Sequence, residues 1–459
     1  MRLFAAVCHR WVPWRFQGDK GVLARHATQR RQTGRLPRLV YRDGAVGGVR
    51  FDTDTVASVA LVHRSRLFAP PRIRSLEDAD DGRHATWLEL FFDLVFVVAM
   101  AQLALSLSHD MSAHGFLVYC GLFIPVWWAW VGYTFYADRF DTDDVVHRVL
   151  TLSGMFAVGA LASVIPDAAV GDTAPFAIAY VAVRAVVIAL NGRAWLHLPA
   201  ARPLLNVYIP AFSVAALLML VSVAVSSPNR YWIWAVALTL DVGVPLVVRR
   251  RVSLVPIHAS HVPERIGLFT IIVLGEAVVA VVIGTNTVEW SLESGIVAAI
   301  GFVICAGFWW IYYEYLDGEA LIGRGTSVGQ AYLYAHLPVT AGIVALGVGV
   351  EHAITETAHT ELDDATRWVL CGGLALAFTS LAAIHRVASR ARRNIDVWLR
   401  LAVVGVALGV AVFGGGLHPL PTLAILAASV VACLTVELLL SHRYGSATEP
   451  SLPPEAFVP

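Results

Sequence analysis

From Thr86 onward the chain is a train of twelve apolar segments, each near bilayer-crossing length, separated by short polar loops. Their approximate bounds are 86–108, 115–137, 147–165, 175–195, 204–226, 231–248, 265–285, 294–316, 328–350, 367–386, 395–413 and 421–440. A hydrocarbon layer about 30 Å thick calls for roughly 20 residues of helix at 1.5 Å each. Inside that layer nothing bonds an open backbone N–H or C=O, so each segment must be helical. A soluble fold has no interior large enough for this much apolar surface: 57% of residues are hydrophobic and 15% charged, with a mean hydropathy of +0.65. The sequence therefore predicts an all-α polytopic membrane helical bundle of about 12 transmembrane helices.

Residues 1–85 read differently. They are Arg-rich, with scattered Gly and Pro and no sustained periodicity, and are expected to form a disordered cytoplasmic N-terminal arm. A basic linker at 249–264 divides the remainder into 86–248 and 265–440, and 441–459 is a tail. Arginines mark every second loop: Arg139 and Arg148, Arg193 and Arg202, Arg249 to Arg251, Arg324, Arg386 to Arg393, then Arg443. The intervening loops hold only Arg230 and Arg367 at their edges, and the one from Glu351 to Asp364 carries five acids. The positive-inside rule then places both termini in the cytoplasm, with the plasma membrane as the expected location.

Several function classes receive no support. Formal net charge is zero, so no global field recommends nucleic acid as a partner. Five cysteines, Cys8, Cys120, Cys305, Cys371 and Cys433, form no Cys-x-x-Cys pair and read as small apolar residues. The loop His258-Ala-Ser-His261-Val-Pro-Glu264 has passable metal-ligand spacing, but Pro263 breaks the helix that would aim those side chains, so no metal site is expected. The spans contain no nucleophile elbow, phosphate-binding Gly loop or His-x-x-x-His pair. The expectation is a non-enzymatic protein without a cofactor. Its partners would be the lipid bilayer and a small solute or ion of unknown identity, and a homo-oligomer is compatible with the pattern.

The two halves echo each other. Trp127-Trp128 in the second span corresponds to Trp309-Trp310 in the eighth, each pair followed by aromatics. His147-x-x-x-Thr151 in the third matches His336-x-x-x-Thr340 in the ninth, and the first span of each half carries a carboxylate, Asp93 or Glu276. Six spans separate equivalent helices. The reading is two six-helix parallel repeats related by an axis along the membrane normal, an arrangement found among transporters.

Intramembrane carboxylates are the strongest site candidates, because burying one charge costs about 3 kcal/mol even on lenient insertion scales. Glu89 and Asp93 are four apart and share a helix face, with Asp93 about 10 Å beyond Thr86. Two acids on one face indicate a water-filled cavity, a cation site or a shared proton. Glu276 lies about 17 Å beyond Arg265, close to the bilayer midplane. Arg184, deep in the fourth span, is the natural counter-charge for a carboxylate of its own half. Weaker candidates are Asp241, Glu314, the histidines His147 and His336 as proton relays, and Trp127, Trp128, Trp309 and Trp310.

Two stretches also carry a resemblance. The first span reads Ala85-Thr86-Trp87-Leu88-Glu89-Leu90-Phe91-Phe92-Asp93-Leu94-Val95-Phe96-Val97 and ends in Ala101-Gln102-Leu103. The seventh reads Glu264-Arg265-Ile266-Gly267-Leu268-Phe269-Thr270-Ile271-Ile272-Val273-Leu274-Gly275-Glu276. They resemble the two signatures of the bacterial low temperature requirement A family, over about 85–440. The resemblance implies a multi-pass membrane protein whose family is named for growth in the cold and has no agreed biochemical activity. Phe92-Asp93-x-Val95-Phe96 is also similar to a Phe-Ser-Asp motif in potassium-permeable channels built from six-helix repeats, with Phe92 standing where that motif has Ser. Three classes follow: a solute or proton-coupled transporter with Glu89, Asp93 and Glu276 around a central cavity, a cation channel lined by helices 1 and 7, or a non-transporting scaffold or sensor for cold growth.

Overall fold

A computed structural model describes residues 68–73, 86–142, 144–248, 261–315, 326–388 and 394–445. Twelve of its helices are long and apolar enough to cross a membrane. In chain order they are α1 Trp87–His109, α2 Ala113–Arg139, α3 Val145–Ser163, α4 Ala174–His197, α5 Arg202–Ser222 and α6 Asn229–Val247. The second set is α7 His261–Thr287, α8 Leu292–Tyr315, α9 Thr326–Thr355, α10 Asp364–Ala388, α11 Asn394–Phe413 and α12 Pro419–Gly445. They run from 19 to 30 residues, about 28–45 Å. Each apolar segment of the sequence became one helix, shifted by a few residues at its ends. The polytopic helical bundle stands.

Local signals explain the starts. Thr86 caps α1 in a capping box, its hydroxyl accepting the Glu89 N–H while the Glu89 carboxylate accepts the Thr86 N–H. Ser112 caps α2 through the Gly115 N–H, and Asp144 caps α3 through the His147 N–H. Of the expected arm 1–85, the described part is residues 68–73. There Arg72–Ile73 pairs antiparallel with Phe140–Asp141, and Arg193 ties Ala69 O (2.6 Å) to the cap carboxylate of Asp144 (2.7 Å). The rest of the arm, the basic linker to Ser260 and the tail beyond Gly445 lie outside the described residues.

Neighbour relations place the core. α1 packs on α2 and α3, after which α3, α4, α5 and α6 pack in sequence. Likewise α7 packs on α8 and α9, followed by α9, α10, α11 and α12 in sequence. The halves differ at their second helix: α2 also packs on α4, whereas α8 packs on α9 and α12. They meet where α1 and α2 contact α7 and α9. The most enclosed of the twelve helices are α9 and α10, and the least enclosed is α6. The centre of the bundle is thus the α1–α2–α7–α9 junction with α10 behind it.

Candidate functional site

On α1 the residues turned inward are Glu89, Phe92, Asp93, Phe96, Ala99, Met100, Leu103 and Leu107, a stripe at three- and four-residue spacing. The opposite face, with Trp87, Phe91, Leu94 and Val98, is exposed on the outside of the bundle. Asp93 therefore points into protein. Its Oδ1 accepts from Arg265 Nη2 on α7 at 2.6 Å and from Trp130 Nε1 on α2 at 2.8 Å. Both charged side chains are 1% exposed. Aromatic rings wall the pair: Phe92 stacks on Tyr133 at 3.8 Å, and Trp130 on Phe269 at 4.4 Å. In so apolar a setting the attraction between the charges is stronger than at a surface, and so is the cost of leaving either alone. The fork is nevertheless only half used. Among the described residues, Asp93 Oδ2 and the Nε and Nη1 of Arg265 have no hydrogen-bond partner.

A second ion pair lies on the other side of α2. Arg184 Nη2 donates to Asp241 Oδ1 at 2.5 Å, and the Tyr180 hydroxyl donates to Oδ2 at 2.6 Å. Arg184 is also seated over the Phe212 ring at 4.5 Å. Gly132 leaves it room, since a Cβ there would stand 2.7 Å from Nη1. Trp128, one turn before Gly132, contacts Tyr334 of α9. Residues 128 and 132 share a face of α2 while 130 is about 160° away, so α2 separates two buried ion pairs at one level along its axis.

The other sequence candidates are distributed. Glu89 lies one turn before Asp93 on the same face and serves in the α1 cap. Glu276 is partly buried, on the stretch of α7 that meets α9 near Glu351, about 16 Å along the helix from Arg265. It is not part of the Asp93 cluster. His336 is fully buried, with Nδ1 2.7 Å from Tyr332 O and Nε2 2.9 Å from the Tyr312 hydroxyl. A carbonyl only accepts, so Nδ1 carries the proton and Nε2 accepts from Tyr312. Thr270 Oγ1 stands 3.3 Å from the same Tyr312 hydroxyl, joining α7, α8 and α9. In the first half Tyr133 donates to Thr151, whose own hydroxyl bonds His147 O. His147 itself stacks against Tyr136. Glu314 is exposed at the end of α8.

The two Trp-Trp pairs have unlike surroundings. Trp127 and Trp128 are 1% and 3% exposed, Trp309 and Trp310 43% and 44%. The wider contrast between buried and outward tryptophans is testable on Trp130, which is also buried, and Trp309. Trp130→Phe keeps the ring packing but removes a bond to a buried charge, and is expected to cost about 1.5–3 kcal/mol. Trp309→Leu, on the outer face, is expected to stay within about 0.5 kcal/mol. Chemical unfolding in mixed micelles measures both.

Sequence reasoning singled out the acids and Arg184 and passed over most of the other partners. Arg265, Trp130, Tyr180 and Tyr312 were not among the candidates, nor was a third pair in which Arg400 Nε of α11 stands 3.3 Å from Glu437 Oε1 of α12. Part of the signal was present: Arg184 and Arg400 fall inside apolar spans, where an arginine is as costly as an acid, whereas Arg265 is the first residue of its span. Each of these fully buried arginines pairs with a carboxylate on a different helix.

A family model described as bacterial low temperature requirement A protein matches residues 84–437. An uncharacterised protein of Rhizobium meliloti (strain 1021) is 32% identical over 297 residues, covering 60% of this chain and 70% of that one.

Proposed function

The chain belongs to the bacterial low temperature requirement A (LtrA) family of multi-pass membrane proteins, and from that premise we propose that it is a proton-coupled solute transporter worked by the Asp93–Arg265 pair. One observation carries the reading: a buried ion pair joins the first helix of each sequence half at the junction of the two. Transporters built from repeats place solute and coupling-ion sites at the repeat interface. Ionisable groups held inside a membrane mark such pathways more often than they mark packing. The halves are taken as parallel repeats, a view supported by their shared order of helix neighbours. Both termini would face the cytoplasm of the plasma membrane, and no covalent chemistry is assigned. In this scheme Asp93 holds the coupling proton, Arg265 holds α1 to α7 while Asp93 is ionised, and parting of the two helices exposes the solute path.

The test is flux into proteoliposomes for a panel of ions and small solutes, with and without a pH gradient. Saturable, gradient-driven uptake is expected, falling about tenfold or more in Asp93→Asn, a usual size for coupling between sites. Voltage-driven current that persists in Asp93→Asn would favour a cation channel instead. Absence of any flux, with the variant merely less stable, would favour a scaffold or sensor.

A further inference from the structure

Charge balance at the α1–α7 junction constrains what the solute can be. A guanidinium such as that of Arg265 is a permanent cation in proteins. It is 1% exposed, and among the described residues its one anionic partner is Asp93, held by a single nitrogen. When Asp93 takes a proton, a buried guanidinium loses its counter-charge, a state that is strongly disfavoured unless another anion replaces it. The groups needed to receive one are in place: Arg265 Nε and Nη1 are already without partners, and Nη2 is released. The fork of Nη1 and Nη2 suits an oxyanion, or a halide between its donors. The unpartnered Oδ2 of Asp93 is the oxygen at which the proton would sit.

We infer that the solute is a monovalent anion that binds Arg265 in place of Asp93, carried with one proton in an electroneutral step. The proposal rests on the transport reading above and deepens it. The inward step loads H⁺ on Asp93 and the anion on Arg265, and release returns both to water and restores the Asp93–Arg265 bond. Net charge at the junction never changes. Among the described residues no other titratable group on the helices packed there bonds Asp93 or Arg265, although Glu89, one turn before Asp93, is close enough to act on its charge. Glu89 on α1 is occupied in the cap, Tyr133 on α2 bonds Thr151, His147 on α3 stacks on Tyr136, and His336 on α9 bonds Tyr312. Further along α1, His352 of α9 bonds Ser108.

The experiment uses the full-length protein in proteoliposomes loaded with a pH-sensitive dye, with chloride, nitrate or glutamate outside as salts of an impermeant cation. At least one of these anions should acidify the lumen, at a rate unchanged when valinomycin and potassium set different membrane potentials. Asp93→Asn should lose the acidification by about tenfold or more yet still exchange labelled anion, whereas Arg265→Gln should lose both. Proton-coupled flux of cations or neutral solutes alone would overturn the anion assignment and leave the transporter intact. A rate that follows membrane potential would overturn the electroneutral step. No proton-coupled flux of any solute would sink the transport reading and this inference with it. A second measurement avoids variants that fail to fold: thermal unfolding of the unaltered protein with each anion at about pH 5 and about pH 8, either side of neutrality. A rise of several degrees at the lower pH only is expected. Stabilisation only at the higher pH, or at neither, contradicts the proposal.

Discussion

Arg265→Leu is expected to destabilise the folded protein by about 3–5 kcal/mol, the range for breaking a buried ion pair from one side. The cost comes chiefly from the partner left behind. Asp93 is 1% exposed and would retain a single hydrogen bond, from Trp130. Arg265→Lys should recover part of the loss, because an ammonium keeps the charge but cannot reproduce the planar fork and reaches less far. Asp93→Leu should be similarly costly, since it strands a guanidinium that already has two unpartnered nitrogens. Reversible unfolding in mixed detergent micelles, followed by circular dichroism, reads all three. A loss for Arg265→Leu no larger than that for an outward residue such as Trp310 would show that the pair does not hold the halves together.

The second large effect concerns α9 and α10, where backbones approach closely. A Cβ on Gly373 would lie 2.5 Å from Leu346 N and 2.9 Å from Gly342 O, and one on Gly349 would lie 2.5 Å from Leu370 Cα. These neighbours are main-chain atoms of a helix and cannot swing aside as a side chain can. Small residues at such crossings are what lets membrane helices gain close contact where water provides no drive. Gly373→Leu is therefore expected to cost about 3 kcal/mol or more, at the upper end for overpacking, and Gly373→Ala less. By contrast Gly405, where a Cβ meets nothing within 4 Å, should tolerate Ala with little change. Comparable unfolding midpoints for Gly373→Leu and Gly405→Ala would contradict this view of the core.

Why the helices were legible and the site only partly so has a physical reason. Span length and hydropathy are local properties, so the twelve helices follow from any window of sequence near 20 residues. Loop arginines likewise give an expected orientation without tertiary knowledge. Pairing is different. That Asp93 turns inward follows from the α1 stripe, but that its partner sits on α7, 172 positions away, depends on how the two halves dock. The expectation for Arg184 shows the boundary well: its counter-charge is in its own half, as anticipated, and is the weaker candidate Asp241. Glu276 was ranked beside Asp93 because each is an acid on the first helix of a half. Its neighbour is Glu351, since the repeat in sequence does not carry over residue by residue. The same limit separates buried Trp127 and Trp128 from outward Trp309 and Trp310.

The central claim is that α1 and α7 are coupled through Asp93 and Arg265, and a double-mutant cycle tests it most directly. Stability is measured for the unaltered protein, Asp93→Ala, Arg265→Ala and the double variant. The account predicts a double variant much less damaged than the sum of the singles, with a coupling energy of about 2 kcal/mol or more. Single losses that simply add, to within about 0.5 kcal/mol, would mean that the two side chains do not act as a pair.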